Sequence, residues 1–125
     1  MDRPLISTSI MDADVLRLAE EVDKVLLAGA DVIHIEVVDG EYADKTGIGS
    51  AACKALRSHG VKAPIDVHIR AKSPDSIIES FLIAGVNDIS IHPEMVVNIE
   101  DSLSLIKNAG CHAGLAVSLF NPLSE

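Results

Sequence analysis

Tryptophan is absent from this chain, and aromatic residues of all kinds make up only 2% of it. A core must therefore be built from aliphatic side chains, and Ile, Val, Leu and Ala supply most of the 48% hydrophobic content. That bias suits strands buried beneath helices. Positive charge is also scarce: 10 Lys and Arg stand against 19 Asp and Glu, a net charge of −9. Nucleic acid and anionic membrane both need a positive surface, so neither is an expected partner. Cysteine is limited to Cys53 and Cys111, with no CxxC pair. Free thiols in a reduced compartment are the expectation. No apolar run approaches the length of a membrane span. Met1-Asp2-Arg3-Pro4 is followed too soon by Ser and Asp for a signal peptide. A soluble cytoplasmic protein is expected, with residues 1–125 forming one domain.

What is present is a repeat of alternating strands. Asp31 to Asp39 places Ile33, Ile35 and Val37 on one face and His34, Glu36 and Val38 on the other. An imidazole and a carboxylate at i and i+2 then project from one strand. These side-chain types bind divalent metals and move protons. Pro64 to Arg70 repeats the pattern, with Ile65, Val67 and Ile69 opposite Asp66, His68 and Arg70. Leu5–Ile10, Asp88–Pro93 and His112–Leu119 complete five expected strands.

Four helices are expected between them. Asp12 is the expected cap of the first, Ala13–Ala28, whose apolar stripe is Val15, Leu18, Ala19, Val22, Val25 and Leu26. The second runs from Ser50 to His59 after a polar loop, Gly40 to Gly49. Ser73-Pro74 opens the third, with a capping hydroxyl and a proline, and Asn98 caps the fourth. Gly29, Gly60, Gly85 and Gly110 end the helices, 31, 25 and 25 residues apart. The segment Asn121–Glu125 reads as the entry to a further helix.

Regular β-α alternation means parallel strands joined by right-handed crossovers. An open doubly wound sheet and a (β/α)₈ barrel both have that connectivity. In the open sheet, central strands read as continuous apolar runs. Here most strands have one polar face: Ser7 and Ser9, His34 and Glu36, Asp66 and His68, Ser90 and His92. The expected fold is α/β of the TIM-barrel type. It is partial, since a whole barrel needs eight strands and about 250 residues.

These residues resemble the N-terminal half of the ribulose-phosphate 3-epimerase family. The matching pieces are Ser9-Ile10, Ala13-Asp14, Ala28–Asp31, His34–Gly40, Ala63–His68, Ile91–Glu94, Ile106–Cys111 and Ala113–Leu115. The resemblance implies epimerisation at C3 of D-ribulose 5-phosphate to D-xylulose 5-phosphate, through an enediolate that a metal stabilises. It assigns His34, Glu36 and His68 as ligands of a divalent metal of the Zn, Fe, Mn or Co type. Glu36 is also a catalytic acid/base, and Ser9 and His68 contact the substrate. A sugar phosphate is the implied small-molecule partner.

The chain departs from the family at several positions. Glu36 stands where the family has Asp, and Val38 and Arg70 stand where it has Met. Glu41–Lys45 differs from the usual loop. The family's second catalytic Asp and its phosphate loops lie on later strands, without counterparts in these residues. Two other readings stay open: a non-catalytic half-barrel fragment or paralogue, and an epimerase for another ketose phosphate, such as a hexulose 6-phosphate. Open strand edges imply a homo-oligomer, or a longer natural chain of which this is the N-terminal half. Asp66 is expected as a structural hydrogen-bond partner. His92 is expected as structural or as support for a ligand, and His59 and His112 as solvated.

Overall fold

A computed structural model describes residues 3–38 and 49–119. Five strands form one parallel sheet in chain order: β1 (Ser7–Ser9), β2 (Val32–Val38), β3 (Ile65–Arg70), β4 (Asp88–Ile91) and β5 (His112–Leu115). Between them run α1 (Leu18–Leu27), α2 (Ser50–His59), α3 (Asp75–Ile83) and α4 (Ile99–Asn108). A doubly wound sheet reverses its strand order at a switch point. This order is strictly sequential, the arrangement of a partial (β/α)₈ barrel, with β1 and β5 as the sheet edges.

Alternation decides where the core lies. Ile33, Ile35, Ile65, Val67, Ile69, Ile89 and Ile91 occupy the odd-numbered face and are buried. Val22, Leu56, Ile78, Phe81 and Ile106 from the four helices are buried in the same cluster. Even-numbered residues face the other way, towards what is the barrel interior. At its far end α2 stops on Gly60, whose φ of 110° lies in the left-handed region that L side chains avoid.

The helix starts differ from expectation in two places. A 3-10 turn, Val15–Arg17, precedes α1, and Asp14 rather than Asp12 caps it by accepting from the Leu16 N–H. Val15 is consequently exposed, outside the buried stripe. Ser73 does not cap α3. It sits at φ 47°, and Pro74 takes the position before Asp75. Asp75 instead accepts a 2.6 Å hydrogen bond from the Ser102 hydroxyl of α4. Asn98 caps α4 as expected, accepting from the Asp101 N–H. β1 and β5 are shorter than expected. Asp39, most of the Gly40–Gly49 loop and the segment from Asn121 lie outside the described residues.

Arg57 ties the lower loops together. Its guanidinium donates to the carbonyls of Gly85, Val61 and Ala63 and to the Asn87 side-chain oxygen. The same Asn87 oxygen accepts from the Ile65 N–H at the start of β3. A lysine has no planar fork to reach several acceptors at once. Arg57→Lys is therefore expected to cost about 1.5–3 kcal/mol, the scale of one charged hydrogen bond, in urea unfolding. A loss below a few tenths of that would show that the network is dispensable. Burial pushes the Cys53 thiol up to about 11. At a pH near 8 about one thiol in a thousand is then ionised, so Ellman's reagent should modify Cys111 well before Cys53 in the native protein.

Candidate functional site

The parallel register aligns the polar side chains in rows across the sheet. Ser9 pairs with His34, His34 with Asp66, Asp66 with Asp88, and Asp88 with His112. One step towards the C-terminal ends, Glu36 pairs with His68, His68 with Ser90, and Ser90 with Gly114. Val38 and Arg70 form the next step. In-register residues of neighbouring parallel strands share a face, so His34, Glu36 and His68 stand on one side of the sheet.

Each imidazole of the trio has one nitrogen engaged. His34 Nδ1 lies 2.9 Å from Asp66 Oδ2, which gives Asp66 the structural role expected of it. The Asp66 hydrogen bond raises His34 above the ordinary histidine range, against an opposing effect of burial. His68 Nε2 lies 2.7 Å from His92 Nε2. Burial, and then the neighbouring His92, pushes His68 below the ordinary range. That favours the neutral ring a metal requires. His68 Nδ1 is 3.9 Å from Glu36 Oε1, too far for a hydrogen bond.

The donor chemistry fits a divalent ion. His34 Nε2, His68 Nδ1 and the Glu36 carboxylate are two imidazole nitrogens and an anionic oxygen, each imidazole steadied through its other nitrogen, as metal-ligating histidines are. The His34 and His68 ring centroids are 6.4 Å apart. Among the described residues, no three such side chains are gathered closely enough to hold an ion as they stand. Ser9 shares the face, but its hydroxyl accepts from the Met11 N–H, and it lines a small cleft with Asp12, Ala13 and Glu21 rather than with the trio. His59 and His112 are solvated as expected, each beside a carboxylate, Asp23 and Asp88. Among the described residues Arg70 makes no ion pair with Glu36, although it stands one step beyond it.

With that geometry in place, comparison with known proteins settles the kinship. The family model described as "Ribulose-phosphate 3 epimerase family" matches residues 5–125. This chain belongs to the ribulose-phosphate 3-epimerase family. It is 44% identical over 124 residues to ribulose-phosphate 3-epimerase of Serratia marcescens, covering 99% of this chain and 59% of that protein. The Escherichia coli K12 enzyme is also 44% identical, with 99% and 55% covered. Ribulose-phosphate 3-epimerase 2 of Cupriavidus necator is 40% identical, with 95% and 49% covered. The chain thus spans about half the length of these relatives. Among solved structures, Yersinia pestis DHPS with a pterine-sulfa conjugate superposes with a TM-score of 0.66 at 17% identity, over 90% of this chain and 43% of that one. That likeness is one of fold. Among the described residues no helix is long and apolar enough to cross a membrane.

The row containing Glu36 and His68 depends on a glycine at its edge. A Cβ at position 114 would lie 2.9 Å from the Ser90 hydroxyl oxygen. Gly114→Ala should therefore cost about 1–3 kcal/mol, as overpacking does. The same change in a Ser90→Ala background should cost much less, and a double-mutant cycle by chemical denaturation measures the difference. Equal costs in the two backgrounds would rule out the contact as the cause.

Proposed function

We propose that this chain carries the N-terminal part of a ribulose 5-phosphate 3-epimerase site. The observation that carries the reading is the in-register row of Glu36 and His68 beside His34, all on the inward face of a family barrel. His34, Glu36 and His68 would hold the divalent ion. When bound, the ion polarises the carbonyl next to the carbon being inverted. Glu36 takes or returns the proton at C3 on one face of the sugar, and general acid–base catalysis of this kind contributes about 10²–10⁴-fold. Ser9 and His68 contact the sugar. Inversion also needs a proton donor on the opposite face, and in this family that acid belongs to a later strand. The two sheet edges, β1 and β5, support pairing with further strands, from a second copy or from a C-terminal half.

Glu36 is the position that tests the reading. Calorimetric titration with zinc should show Glu36→Gln binding more weakly by at least the about 10–100-fold typical of losing a mere supporting group. Glu36→Asp should bind comparably, because a carboxylate is kept. Wherever a coupled assay for xylulose 5-phosphate detects turnover, Glu36→Gln should abolish it. A Gln variant with unchanged zinc affinity and turnover would remove Glu36 from both roles.

A further inference from the structure

His92 and Ser102 are the two buried polar residues among the described ones, and His92 is 8% exposed. It follows β4 directly. The turn Pro93–Met95, closed by the Met95 N–H on the His92 carbonyl, folds Glu94 back on it. Glu94 Oε1 lies 3.0 Å from His92 Nδ1, and His92 Nε2 lies 2.7 Å from His68 Nε2. A carboxylate can only accept, so the hydrogen of the first contact sits on His92 Nδ1. A neutral imidazole has one N–H, which leaves His92 Nε2 bare and able to accept. The hydrogen of the second contact is then on His68 Nε2. His68 Nδ1 is left with its lone pair, on the side of the ring nearest Glu36.

We infer that His92 is a positioning residue: anchored by Glu94, it fixes His68 as the Nε2–H tautomer and presents a bare Nδ1 beside Glu36. The relay supports the metal site proposed above and rests on that reading only for its purpose. Glu94 sets its direction, because that carboxylate is at hydrogen-bond distance from His92, whereas Glu36 at the other end lies 3.9 Å from His68 Nδ1, beyond that reach. The opposite arrangement, with both protons on His92, would put the hydrogen of His68 on Nδ1 and close that nitrogen to an ion.

Two measurements on the whole chain test this. Long-range proton–nitrogen NMR correlation on ¹⁵N-labelled, zinc-free protein reads the tautomer directly. His68 protonated on Nε2 is expected, and protonation on Nδ1 overturns the inference. Zinc titration by calorimetry is the second. His92→Leu, which removes the acceptor, should lower zinc affinity by about 10–100-fold, and His92→Gln, whose amide oxygen can accept from His68, should recover most of the loss. Equal zinc affinity in all three proteins overturns the inference. Should His92→Leu fail to fold by circular dichroism, the tautomer in the unaltered chain decides alone. Absence of zinc binding in the unaltered protein would count against the proposed metal site, while the tautomer would still decide the role of His92.

Discussion

The structure depends on one constraint: strands whose two faces have opposite chemistry must all be held in parallel register. Odd positions of β2, β3 and β4 are aliphatic and, but for the half-buried Val37, buried against the helices. Most even positions carry imidazoles, carboxylates or a hydroxyl, with Val32, Val38 and Arg70 as the others. Because side chains alternate with period 2, a slip of one residue in any of these three strands would push charged groups into the helix-covered core and isoleucines out of it. The hydrophobic effect on one face thus fixes the alignment of the polar groups on the other. The site is a consequence of the core.

Polar groups on that inner face stabilise one another in pairs. Each pair joins neighbouring strands: His34 with Asp66, Asp88 with His112, and His68 with the His92 that extends β4. Among the described residues no buried side-chain nitrogen or oxygen lacks a partner. A half-open, partly solvated face tolerates such pairs better than a closed apolar interior would, since unpaired polar groups there are costly.

The period-2 faces and the spaced glycines made the parallel β-α repeat legible in the sequence, and the polar face separated a barrel from a doubly wound sheet. The second helix and the Asn98 cap could be read directly, because each depends on residues close in sequence. Ser73 misled for a physical reason. A serine before proline looks like a cap, but at φ 47° its hydroxyl bonds no N–H of the helix, and Asp75 is engaged across to α4 instead. The helix before β2 begins late because a 3-10 turn, capped by Asp14 rather than Asp12, precedes it. The Asp66 partnership was legible from alternation alone. The contact between His68 and His92 was not, because residues 24 apart meet only once register and ring orientation are fixed. The local signal was present in the spacing His92-Pro93-Glu94, where a proline turn brings a carboxylate back onto an imidazole.

The Glu36 position shows how little freedom such a site leaves. A glutamate carries its carboxylate one methylene farther from the strand than an aspartate does, and misplacement by about 1 Å at a reacting centre can be costly. The groups around it are not adjustable to the same degree. His68 is held through Nε2 by His92, and His34 through Nδ1 by Asp66, so neither ring can turn to meet a longer acid without breaking a bond. Glu36 is 39% exposed at the side chain and has no such tether at 3.9 Å from His68 Nδ1. The glutamate is therefore the member of the trio able to move, its extra torsion absorbing the difference in reach. Arg70 and Val38 lie one step nearer the strand ends on the same face. A guanidinium at that rim is also a local positive charge on a chain whose net charge is −9, so an anion near that face meets an opposing local field. Positions 36, 38 and 70 thus lie together on one face of the sheet, with the longer acid one step below the cation.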